Sequence, residues 1–206
     1  MTNEFAKGVK EEVNRTAEWI PKQQLDDQQI EDLGKEILGA KNEKGENIKT
    51  IFIGGWGRSG FVAEGFAMRL AHLKFDARYI TEPTVPAMQK GDLFIIVSGS
   101  GESLTRAIET ALKIGVKVIM ITSLLSSIGT RSSDMRLVIP GREEGDEGSS
   151  LSFLERQMKG IPAFPLGTAF ELLTAIVLDA IIAVLAIRVK KSNEDMKKEH
   201  ASVVPE

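Results

Sequence analysis

Cysteine is absent from this 206-residue chain. No disulfide, no thiolate nucleophile and no cysteine-ligated zinc or iron–sulfur centre can be built from it. Histidine is almost absent as well. His72 and His200 alone are too few for a histidine metal cage. An excess of positive charge is also missing, since 26 Lys and Arg stand against 29 Asp and Glu, a net of −3. That argues against nucleic acid as a partner, which needs a basic face. It leaves room for small anions, which a local loop can hold on an acidic protein. The N-terminus, Met1 to Lys7, lacks the positive-then-apolar pattern of a secretion signal, so a cytoplasmic location is the expectation. Internal repeats and low-complexity stretches are absent too.

One long apolar run is present. Ala169 to Ile187 approaches the roughly 20 residues a bilayer span needs. Glu171 and Asp179 interrupt it, and each charge costs about 2.5–3.5 kcal/mol on insertion scales. The favoured reading is a helix buried in a core or between subunits, with no membrane involved.

The length suits one α/β domain over residues 1–206, with a helical pair in 1–40 and C-terminal helices in 168–200. The first helix spans 3–20, carrying Phe5, Val9, Val13 and Trp19-Ile20 on one side, and Pro21 ends it. A second covers 25–39. Apolar strands then alternate with helices. Strands are predicted at 51–53, 77–81, 93–97, 116–121 and 135–139, with helices at 60–73, 104–114 and 128–134. This pattern predicts a parallel sheet of about five strands covered by helices on both faces. Gly141 to Gly148 reads as a mobile charged loop, Ser149 to Phe164 is ambiguous, and helices at 168–190 and 193–200 close the chain.

Two strand ends stand out. After Leu93-Phe-Ile-Ile-Val97 comes Ser98-Gly-Ser-Gly-Glu-Ser103, and a helix follows. Glycines let the backbone turn sharply and approach a ligand, while hydroxyls and the bare helix N-terminus supply donors. These features predict a site for a terminal phosphate monoester. After the first strand, Gly54-Gly-Trp-Gly-Arg-Ser-Gly60 fits G-x-G-x-x-G through Gly55, Gly57 and Gly60. That is the dinucleotide fingerprint, with Glu82 placed where a ribose-binding acid would sit. Against it stand the hydroxyl of Ser59, the second serine loop, and the little chain left for a substrate domain. The plainest alternative is two ordinary glycine-rich turns. In a doubly wound sheet two such loops can share one crevice at a topological switch. Three or four hydrogen bonds to a charged group, at about 1.5–3 kcal/mol each, can anchor a sugar phosphate at micromolar to millimolar affinity after the cost of association.

These segments resemble a sugar isomerase (SIS) domain, and within that group the 6-phospho-3-hexuloisomerases. The similar stretches are Ile53 to Gly60 with Phe66 to Leu70, Thr84-Val-Pro-Ala87 before Gly91-Asp-Leu93, and Ser98 to Ser103. Pro165-Leu-Gly-Thr168 with Phe170-Glu171, and Glu199-His-Ala201, also match. The resemblance implies a flavodoxin-like three-layer sandwich. It further implies interconversion of 3-hexulose 6-phosphate and fructose 6-phosphate through an enediol, in the ribulose monophosphate route. No metal, no organic cofactor and a homotetramer are implied with it. The chain departs from the family pattern in a longer, more acidic Pro140–Pro165 segment, in its last residues, and in Ser103, where threonine is common.

Candidate phosphate ligands are Ser59, Ser98, Ser100 and Ser103, with Gly57 for close backbone approach; each serine is also a natural turn former or cap. Arg58 is a candidate for the sugar or phosphate, or for an ion pair across a subunit interface. Thr84 is placed near the pocket, and Glu102 is a ligand or a first-turn dipole partner. Glu171 is the candidate base, as an acid in the first turn of an apolar helix; the competing reading is a capping box with Thr168. His200 is the candidate acid–base partner for oxygen, chiefly by resemblance, if the tail folds over a pocket of its own or of a neighbouring copy. His72 reads as structural.

Overall fold

The computed structural model describes residues 2–142 and 167–200, together with 155, 158–160, 162 and 164. Its centre is a five-stranded parallel sheet in the order β2-β1-β3-β4-β5. The strands are β1 (Ile51–Gly55), β2 (Ala77–Tyr79), β3 (Leu93–Val97), β4 (Lys117–Thr122) and β5 (Met135–Val138). The chain steps outward from β1 to β2, then back past β1 to β3, so the topological switch lies between β1 and β3. Ligands of such sheets bind outside the carboxyl ends of the strands at that point.

The described helices are α1 (Thr2–Trp19), α2 (Asp27–Leu38), α3 (Gly57–His72), α4 (Thr105–Ile114), α5 (Ile128–Ser132), α6 (Thr168–Arg188) and α7 (Asn193–Lys198). Strand side chains alternate between two cores, as a pleated strand requires. Ile51, Ile53, Leu93, Ile95, Ile119 and Ile121 face α3 and α6, with Leu33 and Ile37 of α2 in the same core. Phe52, Phe94, Ile96, Val118 and Met120 face α4. Burial on both faces explains why these strands read as unbroken apolar runs.

Helix α6 is long and apolar enough to cross a membrane by length and composition alone. Here Phe170, Leu173, Val177, Leu178, Ile181 and Leu185 form part of the core, while Ile176, Val184 and Ile187 on the other side are exposed. Two boundary shifts bear on the site. Helix α3 begins at Gly57, three residues early, which puts Arg58 and Ser59 in its first turn. Strand β2 ends at Tyr79, where the Glu82 carboxylate accepts from the Tyr79 N–H and turns the chain. Helix α1 holds a further difference: Trp19 and Ile20 pack on the core, but Phe5, Val9 and Val13 point to solvent. The predicted Gly141–Gly148 loop and the ambiguous 149–164 segment fall almost entirely outside the described residues.

Candidate functional site

The register of β1 against β3 pairs Gly55 with Val97. Both strands therefore end at one level, and the two glycine-rich loops leave the sheet side by side. Neighbouring atoms account for the glycines. A Cβ on Gly55 would lie 2.9 Å from the Ser59 carbonyl oxygen, and one on Gly60 would lie 2.9 Å from the Gly55 oxygen. The Tyr79 hydroxyl donates to the Gly55 oxygen at 3.1 Å and ties β2 to the turn. Burial raises the pKa of that phenol, with help from the charge of Glu64.

In the serine loop, Ser98 is buried and its Oγ accepts from the Gly101 N–H at 3.1 Å. Its observed contact pins the turn. Ser100 Oγ accepts weakly from the Glu102 N–H at 3.4 Å. Glu102 does not face the crevice; its carboxylate accepts from the Ile128 N–H at the start of α5. Gly101 has φ +68, and its carbonyl side packs against Gly129.

Capping separates the helices of this site from the rest. Asp26, Ser127 and Ser192 cap α2, α5 and α7 with side-chain hydrogen bonds. The cap residues of α3, α4 and α6 are Trp56, Leu104 and Gly167, and none supplies such a bond. Among the described residues, the N–H groups of Gly57, Arg58 and Ser59 on one side, and of Ser103, Leu104 and Thr105 on the other, have no acceptor. Leu104 takes φ +64, a left-handed conformation costly for a side-chain-bearing residue, at the start of α4. Unpaired N–H groups and two helix dipoles thus converge on one crevice, an arrangement that attracts anions.

Helix α6 brings the carboxylate. Arg58 Nε donates to Glu171 Oε2 at 2.6 Å, and Ser59 Oγ donates to Oε1 at 3.4 Å. The Glu171 side chain is 12% exposed and that of Arg58 58%. The capping-box alternative is not what forms. Gly167, with φ +76, holds the cap position, and Glu171 turns toward α3. The α6 start also lies against the serine loop, since a Cβ on Gly99 would sit 2.9 Å from the Phe170 ring.

Thr84 lies exposed beyond β2, at the same end of the sheet and on the edge-strand side. His200 is placed differently. Its ring lies 5.5 Å from that of His72, at the C-terminal end of α3. The Lys74–Glu199 ion pair at 2.7 Å fastens the tail there. The thirteen residue steps from Ser59 to His72, at 1.5 Å each, put that end about 20 Å from Ser59. Within one chain His200 does not reach the crevice.

Arg142 was missed. The sequence pattern places it in a charged loop, yet its Cδ would lie 3.4 Å from a Cβ on Gly99 and equally from one on Gly167. Its side chain therefore runs between the serine loop and the start of α6. Its N–H donates to Ser123 Oγ, which fixes the backbone there. No spacing rule links an arginine after β5 with loops 40 residues earlier.

His72 is buried on α3, with a pKa lowered by burial first and then by Arg69 and His200, against Glu199. Its Nδ1 is buried with no partner. The sign follows. Below pH 6.5 the unfolded chain protonates its histidine while the folded one resists, so stability is complete above that pH and falls as pH drops through it. Thermal melts at pH 7 and pH 5 should show a smaller acid-induced drop for His72→Gln than for wild type. Equal drops would remove His72 from this account.

Residues 46–158 match the SIS domain. The chain is 38% identical over 159 residues to an uncharacterized protein of Aeropyrum pernix, covering 75% of this chain and 74% of that one. It is 30% identical to a Bacillus subtilis protein named 3-hexulose-6-phosphate isomerase, over 98% of both chains. A Methanococcus jannaschii crystal structure, whose report infers that same function, superposes with a TM-score of 0.68 at 27% identity, covering 86% of each chain. With more than half its length matching that domain, this chain belongs to the SIS domain family.

Proposed function

We propose that the protein is a sugar-phosphate isomerase, and that its reaction is the interconversion of 3-hexulose 6-phosphate and fructose 6-phosphate. The observation that carries the reading is the level pair of strand tips, where two uncapped helix starts leave the sheet side by side and the Ser59 hydroxyl donates to the Glu171 carboxylate. The name of the full-length Bacillus subtilis relative supports the choice of sugar.

In this reading the phosphate lies over the first turn of α4, held by Ser100, Ser103 and the N–H groups beside them, while Ser98 keeps the turn in shape. Ser59 and the Gly57 backbone approach from α3. Arg58 and Arg142 contact the sugar or phosphate from the two sides, and Thr84 borders the open edge. Glu171 takes the proton from the carbon beside the carbonyl, giving an enediol, and returns it to the neighbouring carbon. The carbonyl moves by one position, and no net proton or electron enters or leaves. The oxygen protons need a second group, and His200 can serve only in the crevice of another copy.

An NMR assay that follows carbonyl migration from fructose 6-phosphate to its 3-keto isomer tests the reaction. No migration at high enzyme concentration would refute it. Ser103→Ala should weaken sugar-phosphate binding by about 10–100-fold, the equivalent of one hydrogen bond to a charged group. Unchanged affinity in calorimetry would move the phosphate away from α4.

A further inference from the structure

The enediol route leaves one task without a group in this chain. When Glu171 removes a proton from the carbon beside the carbonyl, negative charge collects on oxygen, and the chain's own His200 lies by the far end of α3, about 20 Å from Ser59. A cation already touches the base. Arg58 Nε donates to Glu171 Oε2 at 2.6 Å, and Ser59 Oγ donates to Oε1 at 3.4 Å. The pair is lopsided. The Glu171 side chain is 12% exposed and that of Arg58 58%, so the carboxylate is sheltered while the guanidinium opens outward. Only Nε is engaged. Among the described residues, the terminal N–H groups of Arg58 have no hydrogen-bond acceptor. A guanidinium is a planar fork of donors that stays protonated throughout the working range of an enzyme. Its free prongs therefore share a plane with the one that holds the base.

We propose that Arg58 is a catalytic residue that serves the substrate oxygens: its terminal N–H groups take the negative charge of the enediolate while Nε keeps Glu171 in place. This role rests on the isomerase reading above. Placement supports it. In that reading the phosphate sits at the serine loop, beyond β3, and β1 is the neighbouring strand, about 4.8 Å away. The carbonyl lies several bonds from the phosphate, which carries it toward the start of α3, where Arg58 meets Glu171. The electrons balance at each stage. Glu171 takes the proton, the C–H pair becomes the C=C bond, and the carbonyl pair moves onto oxygen. One negative charge thus passes from the carboxylate to the substrate within reach of a single guanidinium, so the cation is paired before and after the step. Donors set in advance where charge develops favour the transition state over the ground state. The adjacent hydroxyl then gives its proton to that oxygen, and its own oxygen takes the charge. The pair on this second oxygen forms the new carbonyl, while the C=C pair takes the proton back from Glu171 at the other carbon. One planar fork holds both oxygens only when they lie on the same side, the cis arrangement that direct transfer between them needs. The second group that the oxygens require is then a fixed cation, not an acid.

Turnover of fructose 6-phosphate, followed by NMR with and without added guanidinium ion, separates this role from a structural one. Arg58→Ala should lower kcat by about 10²–10³-fold, the loss typical of one oxyanion donor, with KM near wild type. Arg58→Lys keeps the charge but not the fork, so it should fall between the two. Guanidinium at millimolar concentration should restore part of the Arg58→Ala turnover, and ammonium at equal ionic strength should restore less. Arg58 is more than half exposed, so both variants should melt with wild type. An Arg58→Ala enzyme with wild-type kcat would overturn the assignment, and a raised KM beside that kcat would make Arg58 a binding group only. A loss of kcat that guanidinium does not relieve would overturn it as well, since Arg58 would then act only by holding Glu171. In each of these cases wild type still moves the carbonyl, and the isomerase reading stands. A wild type that moves no carbonyl ends both.

Discussion

Glu171→Gln is expected to lower turnover by about 10²–10⁴-fold while leaving KM for the sugar phosphate roughly unchanged, the contribution typical of a positioned proton-transfer group. Glutamine keeps the shape and still accepts a hydrogen bond from Arg58 or Ser59, but it cannot carry a proton between carbons. The stability cost should be small, because Arg58 is more than half exposed and water can replace its partner. The comparison with Glu171→Asp adds discrimination. Aspartate retains the proton chemistry but withdraws the oxygens by one methylene, so it should fall between glutamine and wild type. Stopped-flow or NMR turnover, measured beside calorimetric binding, separates the outcomes. A glutamine variant with full turnover would remove Glu171 as the base. A wild type that binds sugar phosphate tightly yet never isomerises it would make the protein a sensor.

Gly101→Ala should damage the serine loop more than any exposed substitution. Gly101 sits at φ +68, where an L side chain costs about 1–2 kcal/mol. The new Cβ would also fall 1.9 Å from Ser127 Oγ and 2.7 Å from its Cβ, a collision with the capping residue of α5 that repacking relieves only at about 1–3 kcal/mol. At about 2–4 °C per kcal/mol for a chain of this size, Tm should drop on the order of 5–15 °C, and sugar-phosphate affinity should fall with it. Adding Ser127→Gly removes the collision but not the backbone strain, so the pair should recover part of the loss. Gly65→Ala gives the contrast. Its Cβ meets nothing and the site is helical, so a gain of about 0.5–1 kcal/mol is expected. A Gly101→Ala protein that melts with wild type would show that the loop does not hold this conformation in solution.

Much of this was legible in the chain because buried parallel strands announce themselves. Leu93 to Val97 is apolar on both faces, so its length and boundaries carry over from sequence to structure unchanged. The two loops were legible for the same reason, since each follows such a strand. What escaped depends on contacts across distant sequence. Whether Glu171 caps its own helix or faces Arg58 turns on Gly167 adopting the left-handed conformation, which local pattern does not decide. Glu102 is in the same position, because its partner Ile128 arrives from another helix. His200 was drawn to the site by resemblance, but the Lys74–Glu199 pair holds it at the other end of α3 in its own chain. Arg142 needed β5, the serine loop and α6 to be placed together before it could be seen. The outward stripe of α1 inverts the usual rule, so a periodicity that indicates a helix also indicates the wrong neighbour.

The two bare helix starts, those of α3 and α4, have a practical consequence for anyone handling the purified protein. On the proposed reading, phosphate and sulfate in a buffer compete with the substrate, completing the backbone hydrogen bonding that the starts of α3 and α4 leave open. Whatever anion settles there tightens the native state by mass action, so melting temperature becomes a report on occupancy as much as on the chain itself.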